Sequence, residues 1–139
     1  MNLSLRLIPA LFGGTVLAMI VTVAVEMAGH ALLAPGLSAG PGLVPSPTVP
    51  LLLSVLLAHL LGAAIGAWSA VRLTPERTRW LGWVVGAILL YGSVTNLLRI
   101  PHPTWFAVMD VVGIAMASWW ASNRASQGIT GTPRTGGAK

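Results

Sequence analysis

Four long apolar stretches, each close to the length that crosses a lipid bilayer, account for most of this chain. They comprise residues 7–33, 51–73, 80–98 and 105–121. About 20 apolar residues in a helix span the ~30 Å hydrocarbon core of a membrane. Only 8% of the residues are charged, far below the ~25% that is typical of a soluble domain. The pattern therefore predicts an all-α membrane protein, an antiparallel bundle of four transmembrane helices.

The remaining segments are short. With four spans there is no room for a second domain, so we expect one transmembrane domain over residues 1–124. Residues 125–139 are rich in Ser, Thr and Gly and predict a disordered cytoplasmic tail. The Pro- and Gly-rich segment 34–50 is either a lid over one end of the bundle or a connector. A cleaved signal peptide is the weaker interpretation of the first stretch, because its apolar run is too long and Glu26 interrupts the cleavage zone.

Positively charged residues are distributed unevenly among the loops. Three arginines lie within residues 72–79 and three Lys or Arg residues lie within 124–139, whereas the segment 34–50 has no charge. Because Lys and Arg favour cytoplasmic loops, we expect both termini and the second loop to be cytoplasmic. The net charge of +5 is spread over span ends, so nucleic acid is not an expected partner. The expected partners are the lipid bilayer and either a second copy of the chain or a larger membrane complex.

Polar side chains interrupt the apolar stretches toward the predicted outer side. Such residues are costly in a bilayer, and they usually face the bundle interior and serve function. At ~1.5 Å per residue, antiparallel threading brings them to one level in the outer third of the membrane. They share helical faces with small residues that permit close packing, as in Gly62-x-x-x-Gly66. We therefore predict a ligand or ion site formed by Glu26, His30, His59, Asn96, Arg99 and Asp110.

One chemical interpretation of these residues is a metal centre. Two imidazoles and two carboxylates at one depth are a donor set that suits Zn²⁺ or non-haem Fe²⁺. The spacing of the residues matches no particular family of metal sites. A haem is not expected, because a lone histidine in a span more often forms hydrogen bonds. The candidate metal ligands are Glu26, His30, His59 and Asp110.

Two further interpretations stay open. In the first, the polar residues form a structural network in which Arg99 pairs with Asp110 or Glu26, and His59 bonds to a carboxylate or to Asn96. In the second, they form a pathway for a proton or an ion. Both are compatible with the predicted depth of the side chains, and the sequence does not choose between them.

The third span and the start of the fourth carry a motif. The segment Asn96-Leu-Leu-Arg-Ile-Pro-His-Pro-Thr-Trp-Phe-Ala-Val-Met-Asp110, with Ala58-His59 and Gly29-His30, resembles uncharacterised small bacterial four-span integral membrane proteins. These proteins carry an Asn, a Pro-x-Trp-Phe turn and an Asp in the same order. The resemblance covers the hydrophobic body without the tail. It implies a location in the bacterial inner membrane and implies no activity.

The leading hypothesis is a small, non-enzymatic integral membrane protein. It binds or conducts a small ligand, an ion or a proton at a polar site in the outer leaflet, or it acts as an accessory subunit. The alternative is a metal-dependent membrane enzyme that uses the His and carboxylate ligands named above.

Overall fold

The structure, a computed structural model, describes residues 3–33 and 48–127, and the regular secondary structure within them is helical. The helices are α1 (Leu3–Leu33), α2 (Val49–Arg72), α3 (Arg79–Arg99) and α4 (Thr104–Ser126). Each of these four helices is long and apolar enough to cross a membrane. The prediction of an all-α chain with four helices of this kind is confirmed for the described residues.

The helix ends differ by a few residues from the predicted spans. Helix α2 begins before Pro50, which occupies the first turn, where its missing N–H costs no hydrogen bond. Helix α4 continues to Ser126, five residues beyond the predicted apolar stretch, so the first two residues of the predicted tail are helical. The rest of the proposed tail from residue 128 and the proposed lid or connector at 34–47 lie outside the described residues.

A short turn at residues 73–78 joins α2 to α3. The buried Thr74 holds it, because its Oγ1 donates a hydrogen bond to the Val71 carbonyl and accepts one from the Thr78 amide. Arg77 adopts a left-handed backbone conformation with φ of 48°. At the same end of the molecule, Arg79 Nη1 donates a hydrogen bond to Asn123 Oδ1 at 3.3 Å, which places the start of α3 beside the end of α4.

Helices α1 and α2 approach each other until their backbones touch. A Cβ atom on Gly14 would lie 2.6 Å from the Ala70 Cβ, and one on Gly66 would lie 2.5 Å from the Ala18 Cβ. Small residues allow this separation, and van der Waals packing at such contacts holds membrane helices together. Early residues of α1 therefore contact late residues of α2.

Helices α3 and α4 make a similar contact. Gly86 faces the Ser118 hydroxyl, and a Cβ on Gly86 would lie 2.5 Å from the Ser118 Oγ. Gly82 faces Ser122 in the same way and also lies close to the Ala67 carbonyl of α2. These contacts lie toward the helix ends that carry Arg72, Arg79 and Arg124, which we call the arginine end.

Large apolar side chains mostly point outward. Leu32 and Leu98 are 78% and 82% exposed, whereas the buried core is formed largely by small side chains such as Ala18, Ala67 and Ala70. A water-soluble domain of this size would bury its large apolar residues instead. Away from the arginine end, the buried residues include the polar Ser93 and Asp110 beside the apolar Leu52 and Phe106.

A candidate acidic site around His59

The imidazole of His59 lies between two carboxylates. Its Nδ1 is 2.7 Å from Asp110 Oδ1, and its Nε2 is 3.3 Å from Glu26 Oε1. The chain contains three acidic residues and three histidines in total. Two of the three acidic side chains thus converge on one histidine, inside helices whose arginines lie near the helix ends.

Asp110 is the most buried member of this group. Its side chain is 1% exposed, and it accepts hydrogen bonds from His59 at one oxygen and from the Ser93 hydroxyl at the other. Ser93 is itself buried. An ionised carboxylate in a low-dielectric interior needs such donors, because without them its burial is very costly.

Glu26 is more exposed than His59 and Asp110. Its side chain is 32% exposed, twice the 16% of His59. The site therefore has a gradient of burial from Glu26 through His59 to Asp110. Glu26 is therefore the member of the group that is most accessible from outside the helices.

Each helix supplies one member of the group. Glu26 comes from α1, His59 from α2, Ser93 from α3 and Asp110 from α4. We call these four residues the acidic site. Beside it, Thr22 Oγ1 of α1 lies 3.5 Å from the Ala58 carbonyl of α2, adjacent in sequence to His59.

The two contacts of the imidazole constrain where protons can lie in the site. When Asp110 is ionised, the Nδ1–H of His59 donates to it, because a carboxylate is an acceptor. In the neutral ring with that tautomer, the Nε2 lone pair would face the Glu26 oxygen, and two acceptors repel. One proton removes the repulsion, whether it resides on the ring or on Glu26. With Asp110 ionised, the geometry leaves a place for one proton between the imidazole and the partly exposed Glu26 carboxylate.

Three predicted site residues stay outside this group. His30, Asn96 and Arg99 are exposed. The His30 Nδ1 lies 2.9 Å from the Glu26 carbonyl of its own helix. Arg99 is the last residue of α3, and both ion pairs among the described residues involve His59. The pairing of Arg99 with Asp110 or Glu26, expected in the network interpretation, is therefore not formed, whereas the expected bond from His59 to a carboxylate is.

In the third span the polar role was predicted for Asn96, and Ser93 was not among the predicted site residues. The two residues are three positions apart and lie on similar faces of a helix. The rotation of α3 places the hydroxyl against Asp110 and leaves the amide exposed. The signal that pointed to Ser93 was its place in the stripe of small residues that runs through Gly82 and Gly86.

The arrangement does not resemble a metal centre. Among residues 3–33 and 48–127, no group of three or more His, Cys, Asp or Glu side chains is arranged to hold a metal ion. Glu26 and Asp110 approach opposite nitrogens of the same ring, so they cannot converge with His59 on one ion without rearrangement. His30 is directed at its own backbone. The predicted Zn²⁺ or Fe²⁺ ligand set is therefore not assembled here.

Comparison with known proteins does not assign a function to this site. The resemblance to small bacterial four-span membrane proteins stays a prediction from the motif between Asn96 and Asp110. No family model matches the chain, and comparison with curated proteins and with solved structures finds no match.

Proposed function

We propose that this chain is an integral membrane protein that binds a proton, or a small cation in its place, at the acidic site. The four helices cross the bilayer as an antiparallel bundle, with both termini cytoplasmic and the acidic site in the outer leaflet. The bacterial inner membrane is the location that the motif implies. The observation that carries the proposal is the imidazole of His59 held between Glu26 and Asp110.

The membrane placement rests on length, packing and exposure. The helices contain 31, 24, 21 and 23 residues, and at ~1.5 Å per residue each is at least as long as the ~30 Å hydrocarbon core. Contacts such as Gly14 with Ala70 pair early residues of one helix with late residues of the next. Outward-facing side chains such as Leu98 would be in contact with lipid.

Charge balance favours a positively charged ligand. With both carboxylates ionised and the imidazole protonated, the acidic site carries one net negative charge. An uncompensated charge is expensive in the membrane interior, so the site gains stability when it takes up one more positive charge. A proton on a carboxyl group meets this need, and so does a small cation at the partly exposed Glu26. The two should compete.

The packing favours binding over conduction. The four residues of the acidic site come from four helices at one level, so the chain of hydrogen bonds runs across the bundle. Toward the arginine end, α1 touches α2 at Gly14 and Gly66, and α3 touches α4 at Gly86. The buried polar side chains toward that end, Thr74, Ser118 and Ser122, carry hydroxyls and no ionisable group, so the described residues offer no second titratable layer that would continue a path along the membrane normal.

Infrared spectroscopy of the protein in lipid nanodiscs tests the proposal. With only three acidic side chains, each carboxylate band can be assigned by a single substitution. Changing the pH, or adding a cation at constant pH, should alter the bands of Glu26 and Asp110 together, because both contact the same imidazole. The Glu26→Gln variant should abolish the cation response. Glu76→Gln, which removes the exposed carboxylate of the α2–α3 turn, is the matched control and should preserve it.

Two outcomes would contradict the proposal. If the Glu26 and Asp110 bands respond independently of each other, the imidazole does not link them. If neither band responds to pH or to cations, the site is a structural network only. Proton flux in liposomes that is lost in Asp110→Asn would instead favour conduction over binding.

The metal-dependent enzyme, predicted as the alternative, is the weaker candidate. It would require His59 to release one of its two carboxylates and a further ligand to enter. Metal analysis of the purified protein, compared between the parent and His59→Ala, checks this alternative directly. A stoichiometric metal that is lost in the variant would favour the enzyme.

A further inference from the structure

A groove lies between α2 and α4, on the side of the molecule where α1 also reaches them. It encloses about 410 Å³ and is almost entirely apolar. Two tryptophans, one from each of the two helices, flank it. Its lining includes Leu17, Ala64, Ile65, Trp68, Trp120 and Ala121.

An arginine follows each of these tryptophans four residues later, one helical turn closer to the arginine end. The Arg72 guanidinium carbon lies 4.9 Å from the centre of the Trp68 ring, and that of Arg124 lies 5.7 Å from the Trp120 ring. Both pairs have the same spacing of four residues, which places the two side chains on one face of a helix. A cation over an indole ring is attracted to its electron-rich face. Two arginines therefore lie against the two tryptophans that line the groove, at matched positions on α2 and α4.

Within residues 3–33 and 48–127, no carboxylate forms an ion pair with either arginine. Both ion pairs in the described residues involve His59, which is distant in sequence from the arginine end. Trp68 and Trp120 are about half exposed, as expected for tryptophans at the level of lipid headgroups. From Ala64 to Arg72, helix α2 rises by ~12 Å. This distance covers a lipid headgroup and the first part of its acyl chain.

We propose that this groove binds one anionic phospholipid. Its phosphate lies between Arg72 and Arg124, and an acyl chain lies between the faces of Trp68 and Trp120 against the small side chain of Ala64. The inference rests on the membrane placement proposed above and is independent of the acidic site.

A second copy of the chain is the competing occupant, and charge argues against it. In a two-fold symmetric dimer the same patch of each copy contacts its partner. Contact through this groove would bring Arg72 and Arg124 of one copy against the same arginines of the other. Like charges at an interface cost several kcal/mol, whereas an anionic headgroup satisfies them.

Native mass spectrometry of the detergent-purified protein, titrated with phosphatidylglycerol or phosphatidylcholine, tests the proposal. We expect one phosphatidylglycerol per chain and much weaker phosphatidylcholine binding. Arg72→Gln and Arg124→Gln should each weaken phosphatidylglycerol binding about fivefold, because each arginine near the surface contributes ~1 kcal/mol. Arg79→Gln, which removes an equal charge from the same end on α3, is the control and should change it little.

A steric variant separates the groove from a merely charged surface. Ala64→Trp fills the groove without altering any charge and should reduce phosphatidylglycerol binding as strongly as the loss of both arginines. Undiminished binding in Ala64→Trp, equal losses in all three arginine variants, or a dimer that forms through this face would overturn the proposal. The lipid titration and the infrared measurement report on different residues, so a failure of the acidic site and a failure of the groove give different results.

Discussion

Replacing Asp110 with alanine should destabilise the protein severely. The Asp110 carboxylate is 1% exposed and accepts hydrogen bonds from His59 and Ser93. Alanine removes the partner of the His59 Nδ1 and the acceptor of the Ser93 hydroxyl, and it leaves Glu26 as the sole carboxylate beside the ring. Each buried donor left unpaired costs ~1–3 kcal/mol, and breaking a buried charged pair costs ~3–5 kcal/mol.

We therefore expect Asp110→Ala to lower the free energy of unfolding by about 3–5 kcal/mol. Denaturation in mixed micelles of mild and denaturing detergent measures this difference. Asp110→Asn should lose less, because its amide keeps one acceptor and the side-chain shape. Ser122→Ala is the control, since the Ser122 hydroxyl is buried but only returns a hydrogen bond to the Ser118 carbonyl of its own helix.

Double-mutant cycles identify the partner of Asp110. The effects of Asp110→Ala and His59→Ala should be strongly non-additive, because the two side chains share one hydrogen bond. The effects of Asp110→Ala and Arg99→Ala should add, since Arg99 is exposed and forms no ion pair among the described residues. The reasoning fails if Asp110→Ala is as stable as the parent, or if Arg99→Ala restores the stability of the variant.

Two further predictions concern topology and packing. With both termini cytoplasmic, a membrane-impermeant thiol reagent should label Ser38→Cys but not Thr78→Cys in intact cells, and the reverse result would invert the proposed orientation. Gly66→Ala should destabilise the protein by several kcal/mol because the added Cβ meets the α1 backbone, whereas Gly92→Ala, with nothing within 4 Å of the added atom, should gain up to ~1 kcal/mol of helix propensity. Detergent denaturation of both variants checks this, and equal effects would mean that α1 and α2 are not in contact at Gly66.

The helices were predictable because hydropathy and length alone decide them. Each apolar stretch corresponds to one helix, and the shifts at the ends have local causes. Pro50 was assigned to the loop, but proline fits the first turn of a helix, so α2 begins earlier. The polar residues that end α4 continue the helix to Ser126, which an apolar window does not detect.

The members of the acidic site were harder to choose. Glu26, His59 and Asp110 stood out because ionisable residues inside apolar helices are rare. Whether Ser93 or Asn96 faces them depends on the rotation of α3, and a difference of three residues corresponds to only a small rotation. The sequence also could not assign the carboxylates to opposite nitrogens of one ring, a detail that favours a shared proton over a metal ion.

The contacts between serine hydroxyls and glycines bear on whether the chain can be split into two separate polypeptides. Ser118 and Ser122 of α4 pack against Gly86 and Gly82 of α3 within the second helical hairpin, and Gly82 also lies near the Ala67 carbonyl of α2, which joins this hairpin to the first. Association of this kind depends on shape and on weak polar contacts between surfaces formed within each helix, so it does not require a continuous chain. Two hairpins expressed as separate polypeptides, one ending at Arg77 and the other beginning at Thr78, should assemble in the membrane and co-purify. Gly82→Val in the second fragment should abolish that assembly.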